Sequence, residues 1–285
     1  MASVNSLHQK CRDTIPEYLL QYLPKKWFIL GHVLLFQLHP KLDPWKEMIG
    51  KFLLDVDHRP VRTAIMQIGT ISGDFRIPQY EFVYGDPHTE TIHKEAGCIF
   101  KLDPTKIMFS PGNTEERQRL PGFVQENDVV VDFFACVGQW SIPIGKHSKP
   151  KKVYSIELNE LAFSYLCENI QLNKLEDQII PLLGDCNEIA PEKCADHVIL
   201  GYLFNTDKYL QKGINALRSK KGGWIHYHET LPHHEFPYLS IKKIKTASEA
   251  LGFEIKEKKI RLIKDYAPSI VHGRVSVYLK PLFIE

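Results

Sequence analysis

The sequence predicts an α/β fold: a Rossmann-like C-terminal domain behind a small N-terminal α+β domain. Three observations carry this. From residue 129 onward, apolar strand candidates alternate with amphipathic helix candidates. The first of these strands runs into a tight loop containing Gly138. The acids Asp132, Glu157 and Asp185 fall at the ends of three successive strands.

The strand candidates are VVVDFF (129–134), KVYSIEL (152–158), QIIPLL (178–183), HVILGYL (197–203) and GGWIHYHE (222–229). Helices are expected between them, the first starting near Gln139. Segment 159–172 sets Leu161, Ala162, Tyr165, Leu166 and Ile170 at helical spacing, with Asn159 as its N-cap. Segment 207–218 does the same with Leu210, Ile214 and Leu217. Segment 238–251 follows with Ile241, Ile244, Ala247 and Leu251, then Gly252 as C-cap. Such alternation implies right-handed βαβ units and a mostly parallel sheet. The last two segments, EIKEKKIRLI and GRVSVYLKPL, have no helix between them and read as an antiparallel pair closing one edge.

Upstream, AIMQI, QYEFVYG, ETIHKEAG and CIFKLD read as short strands separated by Gly, Pro and Asp. WFILGHVLLFQL reads as a strand pair and 43–54 as a helix. The expected organisation is an N-terminal segment (1–60), a small α+β domain (61–120) and a Rossmann-like catalytic domain (121–285). The Pro-Gly dipeptides at 111–112 and 121–122 mark the boundary region.

Composition sets limits. The chain has 285 residues, 44% hydrophobic and 25% charged, which is ordinary globular composition. No apolar run is long enough to span a bilayer, and the N-terminus lacks a signal-peptide pattern. A cytoplasmic monomer is therefore expected. No two of the six cysteines stand in CxxC spacing, so a zinc site built from them is not expected. Net charge is only +2, yet Lys242, Lys243, Lys245, Lys256, Lys258, Lys259, Arg261 and Lys264 crowd one stretch. Such a stretch is either a solvated lysine face or a phosphate-binding patch.

The loop after the first strand reads Ala135-Cys136-Val137-Gly138. A strand, tight loop and helix in this order aim backbone N–H groups at a ligand above the strand ends. Gly138 is expected to let a ligand approach closely. Glu157 is placed to accept ribose hydroxyls, and Asp185 to take an adenine amino group. Each acid alone reads equally well as a turn or helix-capping residue. One glycine in place of the G-x-G-x-x-G triplet disfavours a dinucleotide pyrophosphate and favours S-adenosylmethionine. The fold is then a class I S-adenosylmethionine-binding one.

DFFACVGQWSIPI resembles the loop of methyltransferase-like enzymes acting on position 37 of tRNA. TISGDFRIPQYEFVYG and TETIHKEAGCIFKLDPTKIMFSPGNTEERQRL resemble the region that precedes it in the same group. The resemblance runs from about residue 62 to the C-terminus. One branch methylates N1 of guanosine-37. The other is the wybutosine-synthesis aminocarboxypropyltransferase family, acting on a tricyclic guanosine derivative in the anticodon loop of phenylalanine tRNA. The methyltransferase branch reads Ser-Pro-Arg-Leu where this chain has Ser110-Pro111-Gly112-Asn113. It also ends its fourth strand in Asn-Leu-Pro, where this chain has Ile199-Leu200-Gly201-Tyr202. Both features, with IHYHET and KDYAPSIVH, resemble the transferase branch. The resemblance implies cofactor contacts at Ser110, Arg117, Glu157, Asp185 and Cys186, with Arg117 gripping the methionine carboxylate. The family has glycine where this chain has Cys136. The alternatives are a guanosine-37 N1-methyltransferase and a tRNA-binding relative without catalysis. His226 and His228, on one face of the fifth strand, are near the expected crevice.

Overall fold

A computed structural model describes residues 2–73 and 75–282, so Asp74, inside the stretch that carries the resemblance, lies outside the described residues. The chain forms two compact units, 1–95 with 99–111, and 96–98 with 112–285.

In the first unit, α1 (Ala2–Cys11) precedes β1 (Trp27–Leu30) and β2 (Val33–Phe36), which form the expected strand pair. After α2 (Lys46–Val56) come β3 (Thr63–Gln67), β4 (Tyr80–Gly85), β5 (Thr91–Glu95) and β6 (Cys98–Leu102). The first four strands make one sheet in the order β1-β2-β3-β4; β5 and β6 make a separate pair. Leu7 and Cys11 of α1, with Ile49 and Leu53 of α2, pack against Leu34 and Ala64 of the sheet. Backbone bonds between β2 and β3 join the two sides of the expected division at residue 60, in the register Val33↔Thr63 to Phe36↔Met66.

The second unit begins with α3 (Thr114–Arg119). It continues through β7 (Val129–Asp132), α4 (Ser141–Ser148), β8 (Lys152–Glu157), α5 (Glu160–Asn173), β9 (Ile179–Leu183) and α6 (Cys186–Ile189). Then follow β10 (His197–Leu203), α7 (Leu210–Ala216), β11 (Gly223–Pro232), α8 (Tyr238–Ala250), β12 (Phe253–Ala267) and β13 (Ile270–Pro281). One seven-stranded sheet runs β12-β13-β11-β10-β7-β8-β9. Its first five strands in sequence are parallel; β13 is antiparallel to both β11 and β12. The edge pair is as the sequence predicts.

Strand order reverses between β7 and β10, and such a switch point opens a crevice at the carboxyl ends of the strands. At the opposite end, Asp196 accepts the Val129 N–H at 2.9 Å and a two-pronged Arg218 grip at 2.9 Å per bond. That clamp fixes where β7 starts, and therefore where its far end delivers the loop.

Helix ends follow local chemistry. The Asn159 side chain accepts Leu161 N–H, as an N-cap should. Gly252, at φ +76°, terminates α8 in a conformation that suits glycine. The expected helix 207–218 divides: a 3₁₀ turn, Thr206–Tyr209, precedes α7. No helix of the described residues is long and apolar enough to cross a membrane.

Candidate cofactor site

The loop between β7 and α4 contains two positive-φ residues, of which only Cys136 is strained. Cys136 sits at φ +52° and Gly138 at φ +91°. The left-handed region costs an L-residue roughly 1–2 kcal/mol, which is why a glycine is at home at position 136. Cys136 tolerates it because its N–H donates to Glu157 Oε2 at 2.7 Å. Burial pushes the Cys136 thiol up to about 12, with the Glu157 charge adding to the effect. It is a neutral side chain, not a nucleophile.

Packing also calls for glycine at 138. A Cβ there would stand 2.6 Å from Ile142 Cγ1 and 3.2 Å from Leu166 Cδ1. Its missing side chain lets α4 and α5 close on the loop.

Glu157 ends β8 half-buried. Oε2 takes the Cys136 N–H, and Oε1 takes Asn159 N–H at 2.8 Å. Each carboxylate oxygen keeps a second lone pair, enough to accept a ribose hydroxyl. Burial raises its carboxyl above the usual range. Its backbone carbonyl accepts the Gly184 N–H at 2.9 Å, tying the end of β8 to the turn that carries Asp185. Asp185 caps α6 by accepting Asn187 N–H at 2.8 Å, and Oδ2 lies on the same half-exposed side chain. Cys186, the first residue of α6, is buried among Val131, Phe133 and Ile156. Burial pushes its thiol up to about 12.

Asp132 departs from the picture of three converging acids. It is fully buried. Oδ2 accepts the Ser141 hydroxyl at 2.7 Å, Oδ1 accepts Phe134 N–H at 3.3 Å, and Ser155 Oγ donates to Ser141 Oγ at 2.7 Å. The residue bends the chain from β7 into the loop and anchors α4 from beneath. Burial pushes its carboxyl up to about 7, and Glu157 contributes to the rise.

Arg117 lies on α3 and is 1% exposed. Its Nη2 reaches Thr114 Oγ1 at 3.3 Å. The flanking acids are engaged by other arginines. Glu116 pairs with Arg274 and Arg261, while Glu115 pairs with Arg119 and Arg261. These ties dock α3 on β12 and β13. Ser110 belongs to the first unit, one residue before its end at Pro111, and is half-buried. Of the expected residues, then, Asp132, Gly138, Glu157, Asp185 and Cys186 all lie in the second unit, on or just after β7, β8 and β9. Arg117 is set in the same unit, on α3.

His226 and His228 share a face of β11 and are both fully buried, which holds both well below the usual imidazole range. His226 Nε2 lies 3.1 Å from His197 Nδ1, and His226 Nδ1 lies 2.9 Å from Ser276 Oγ. His197 in turn lies 3.0 Å from Asp128. This buried chain is structural. His228 instead faces the cofactor loop: its ring lies 5.0 Å from that of Trp140, and its Nδ1 is 3.2 Å from His272 Nε2.

Two features are missed by sequence reasoning. Phe134, Tyr202 and Tyr209 form a half-buried aromatic group at the ends of β7 and β10, with centroids 4.8–5.8 Å apart. Gly201 accommodates Trp140, whose Nε1 would be 2.9 Å from a Cβ at that position. Only the fold brings these together. The basic stretch is also revised. Lys243 is spent on buried Glu229, and Lys245, Lys256 and Lys259 pair with Glu249, Glu254 and Glu257. Lys242 and Lys258 are exposed. Among the described residues, no group of three or more His, Cys, Asp or Glu is arranged to hold a metal ion.

Two outcomes follow from this geometry. Cys136→Gly relieves the positive φ, so it is expected to stabilise the protein by about 1 kcal/mol in urea unfolding, while calorimetry shows S-adenosylmethionine affinity within a few-fold of the parent. Binding recovered only in the variant would mean that the thiol blocks the pocket. For Asp132 the folded carboxyl titrates near 7 against 3.8 when solvated. Between those values the folded state holds a proton that the unfolded chain releases, so this group's contribution to stability falls as pH rises. Asp132→Asn should flatten the fall in melting temperature between those pH values; an unchanged slope would show that Asp132 is ionised in the fold.

Comparison with known proteins places these features. The family described as TRM5/TYW2 methyltransferase domain matches residues 91–256, and the TYW2 N-terminal domain matches residues 7–89. The tRNA(Phe) (4-demethylwyosine(37)-C(7)) aminocarboxypropyltransferase of Methanocaldococcus jannaschii is 44% identical, over 80% of this chain and 90% of that one. The crystal structure of Pyrococcus horikoshii TYW2 in complex with MeSAdo superposes with a TM-score of 0.82 at 34% identity, covering 97% of this chain and 99% of that one. The tRNA (guanine(37)-N(1))-methyltransferase Trm5b of Pyrococcus abyssi is 33% identical, over 89% of this chain and 74% of that one. Shared sequence, shared fold and the paired domains lead to one statement: this chain belongs to the TRM5/TYW2 family.

Proposed function

We propose that the protein transfers the 3-amino-3-carboxypropyl group of S-adenosylmethionine to C7 of 4-demethylwyosine at position 37 of phenylalanine tRNA, a step of wybutosine biosynthesis. The observation that carries this reading is the TYW2 N-terminal domain over residues 7–89, joined to a domain common to both branches. Gly112, where the methyltransferase branch carries arginine, points the same way.

The chemistry is mainly positional. Glu157 accepts the ribose hydroxyls through the lone pairs left over from Cys136 and Asn159. Asp185 takes the adenine amino group with the oxygen its helix cap leaves over. Cys186 completes the cofactor contacts of the second unit, and the family resemblance implies Ser110 as a further contact. Arg117 grips the carboxylate of the methionine arm and turns the arm's γ-carbon, not the methyl, toward the nucleophile. C7 attacks that carbon, the C–S bond breaks, and its electron pair neutralises the sulfonium to give 5′-methylthioadenosine. The proton on C7 then leaves to solvent or a base.

Phe134, Tyr202 and Tyr209 offer ring surface at the strand ends. Stacking a tricyclic base on such rings contributes roughly 1–3 kcal/mol. Lys242 and Lys258 are the exposed lysines of the basic stretch suited to tRNA phosphates; Lys243 is held by Glu229.

The substrate tests the reading. With S-adenosylmethionine and phenylalanine tRNA carrying 4-demethylwyosine, mass spectrometry of the nucleosides should show the added aminocarboxypropyl group. Unmodified guanosine-37 transcript should remain unaltered. Methylation of that transcript at N1 would assign the protein to the other branch, and bound but unaltered tRNA in both cases would make it a non-catalytic relative.

A further inference from the structure

Asn113 ends the Pro111–Asn113 turn and stands at the N-cap position of α3. Asparagine is among the best helix caps, yet here it caps nothing. Its backbone, at φ −104° and ψ 9°, lies outside the extended region that capping uses, and its side chain bonds no N–H of the helix. Asn113 is only 6% exposed. Its Oδ1 is buried and has no hydrogen-bond partner among the described residues. A buried amide oxygen without a donor costs free energy, so folds either supply one or place an apolar group there.

The polar groups that follow it on α3 are engaged with one another and with the sheet. Thr114 Oγ1 takes Arg117 Nη2 at 3.3 Å. Glu115 and Glu116 are held by Arg119, Arg261 and Arg274. None of these bonds serves Asn113. The sequence sharpens the point. The methyltransferase branch reads Ser-Pro-Arg-Leu against Ser110-Pro111-Gly112-Asn113, so its residue at this position is leucine. Leucine and asparagine have nearly the same size and branching, and the position therefore tolerates an apolar side chain. What the amide adds is an acceptor. It stands one helical turn before buried Arg117, on the same face of α3.

We propose that Asn113 Oδ1 accepts a hydrogen bond from the α-ammonium of S-adenosylmethionine, and that this contact helps to select the aminocarboxypropyl arm for transfer. This rests on the reading in which the methionine arm lies along α3. The ammonium brings three donors and a charge, which suits a buried oxygen that the fold leaves without a donor. Carboxylate and ammonium hang from one carbon, two bonds from the γ-carbon that is attacked. A grip on the carboxylate alone leaves that carbon free to rotate. Holding both groups fixes it, and with it the direction in which the γ-carbon faces. A site that transfers the methyl group makes no such demand on the arm, in keeping with the leucine of the other branch.

Calorimetry on the full chain tests this with three ligands: S-adenosylmethionine, its desamino analogue with hydrogen in place of the ammonium, and 5′-methylthioadenosine, which lacks the arm. Asn113→Leu keeps the size of the side chain and removes the acceptor. The parent should bind S-adenosylmethionine about tenfold or more tighter than the desamino analogue, as a charged hydrogen bond would give. Asn113→Leu should bind those two about equally, with 5′-methylthioadenosine affinity as in the parent. Urea unfolding of the ligand-free variant should show no loss of stability, because no bond within the fold has been removed. The proposal is overturned if the parent does not distinguish the desamino analogue, if Asn113→Leu distinguishes it as well as the parent does, or if the variant weakens all three ligands alike. Lower stability of the ligand-free variant would also overturn it, by placing Oδ1 in the bonding of the fold itself. A parent protein that binds no S-adenosylmethionine would instead defeat the functional reading beneath it.

Discussion

The Glu157 carboxylate accepts N–H groups from both sides of the crevice, from Cys136 on the first loop and from Asn159 after its own strand. The backbone carbonyl of the same residue binds Gly184, next to Asp185. One acid thereby fixes the relative positions of three loops at the carboxyl ends of β7, β8 and β9. It also explains how a cysteine persists at a left-handed position: a charge-assisted bond worth roughly 1.5–3 kcal/mol offsets the strain. Because Glu157 is held this firmly, the lone pairs it has left are pre-aimed, as the ribose contact proposed for it would require.

A second set of constraints works from the other edge of the sheet. Buried Glu116 binds Arg274 of β13 and Arg261 of β12, which fastens α3 against the antiparallel pair. That fastening sets buried Arg117 on α3. In the proposed function, the parallel strands would organise the adenosine half of the site, and α3, with its arginine, the methionine arm.

Much of the fold was legible in the sequence because its causes are local. Alternating apolar strands and helical spacing give the βαβ series, Asn159 is a cap by its own side chain, and Gly252 ends a helix by its own backbone. What escaped has non-local causes. Asp132 sits at a strand end like Glu157, but Ser141 and Ser155 enclose it, and only packing reveals that. Gly138 also packs against Ile142 and Leu166, which its loop sequence does not announce. Lys243 reads as a free surface charge until α8 is seen to lie over buried Glu229. The parallel pairing of β2 with β3, across residue 60, leaves no periodic trace over the intervening helix. The short helix α3 has no long amphipathic pattern at all; it is held by ion pairs to residues far along the chain.

The central claim is that the site presents the long arm of S-adenosylmethionine and not its methyl group. The nucleoside left after turnover reports this directly, whatever the tRNA product. Chromatography of the small-molecule fraction after reaction with 4-demethylwyosine tRNA should yield 5′-methylthioadenosine in step with tRNA modified. S-adenosylhomocysteine as the stoichiometric product would contradict the account.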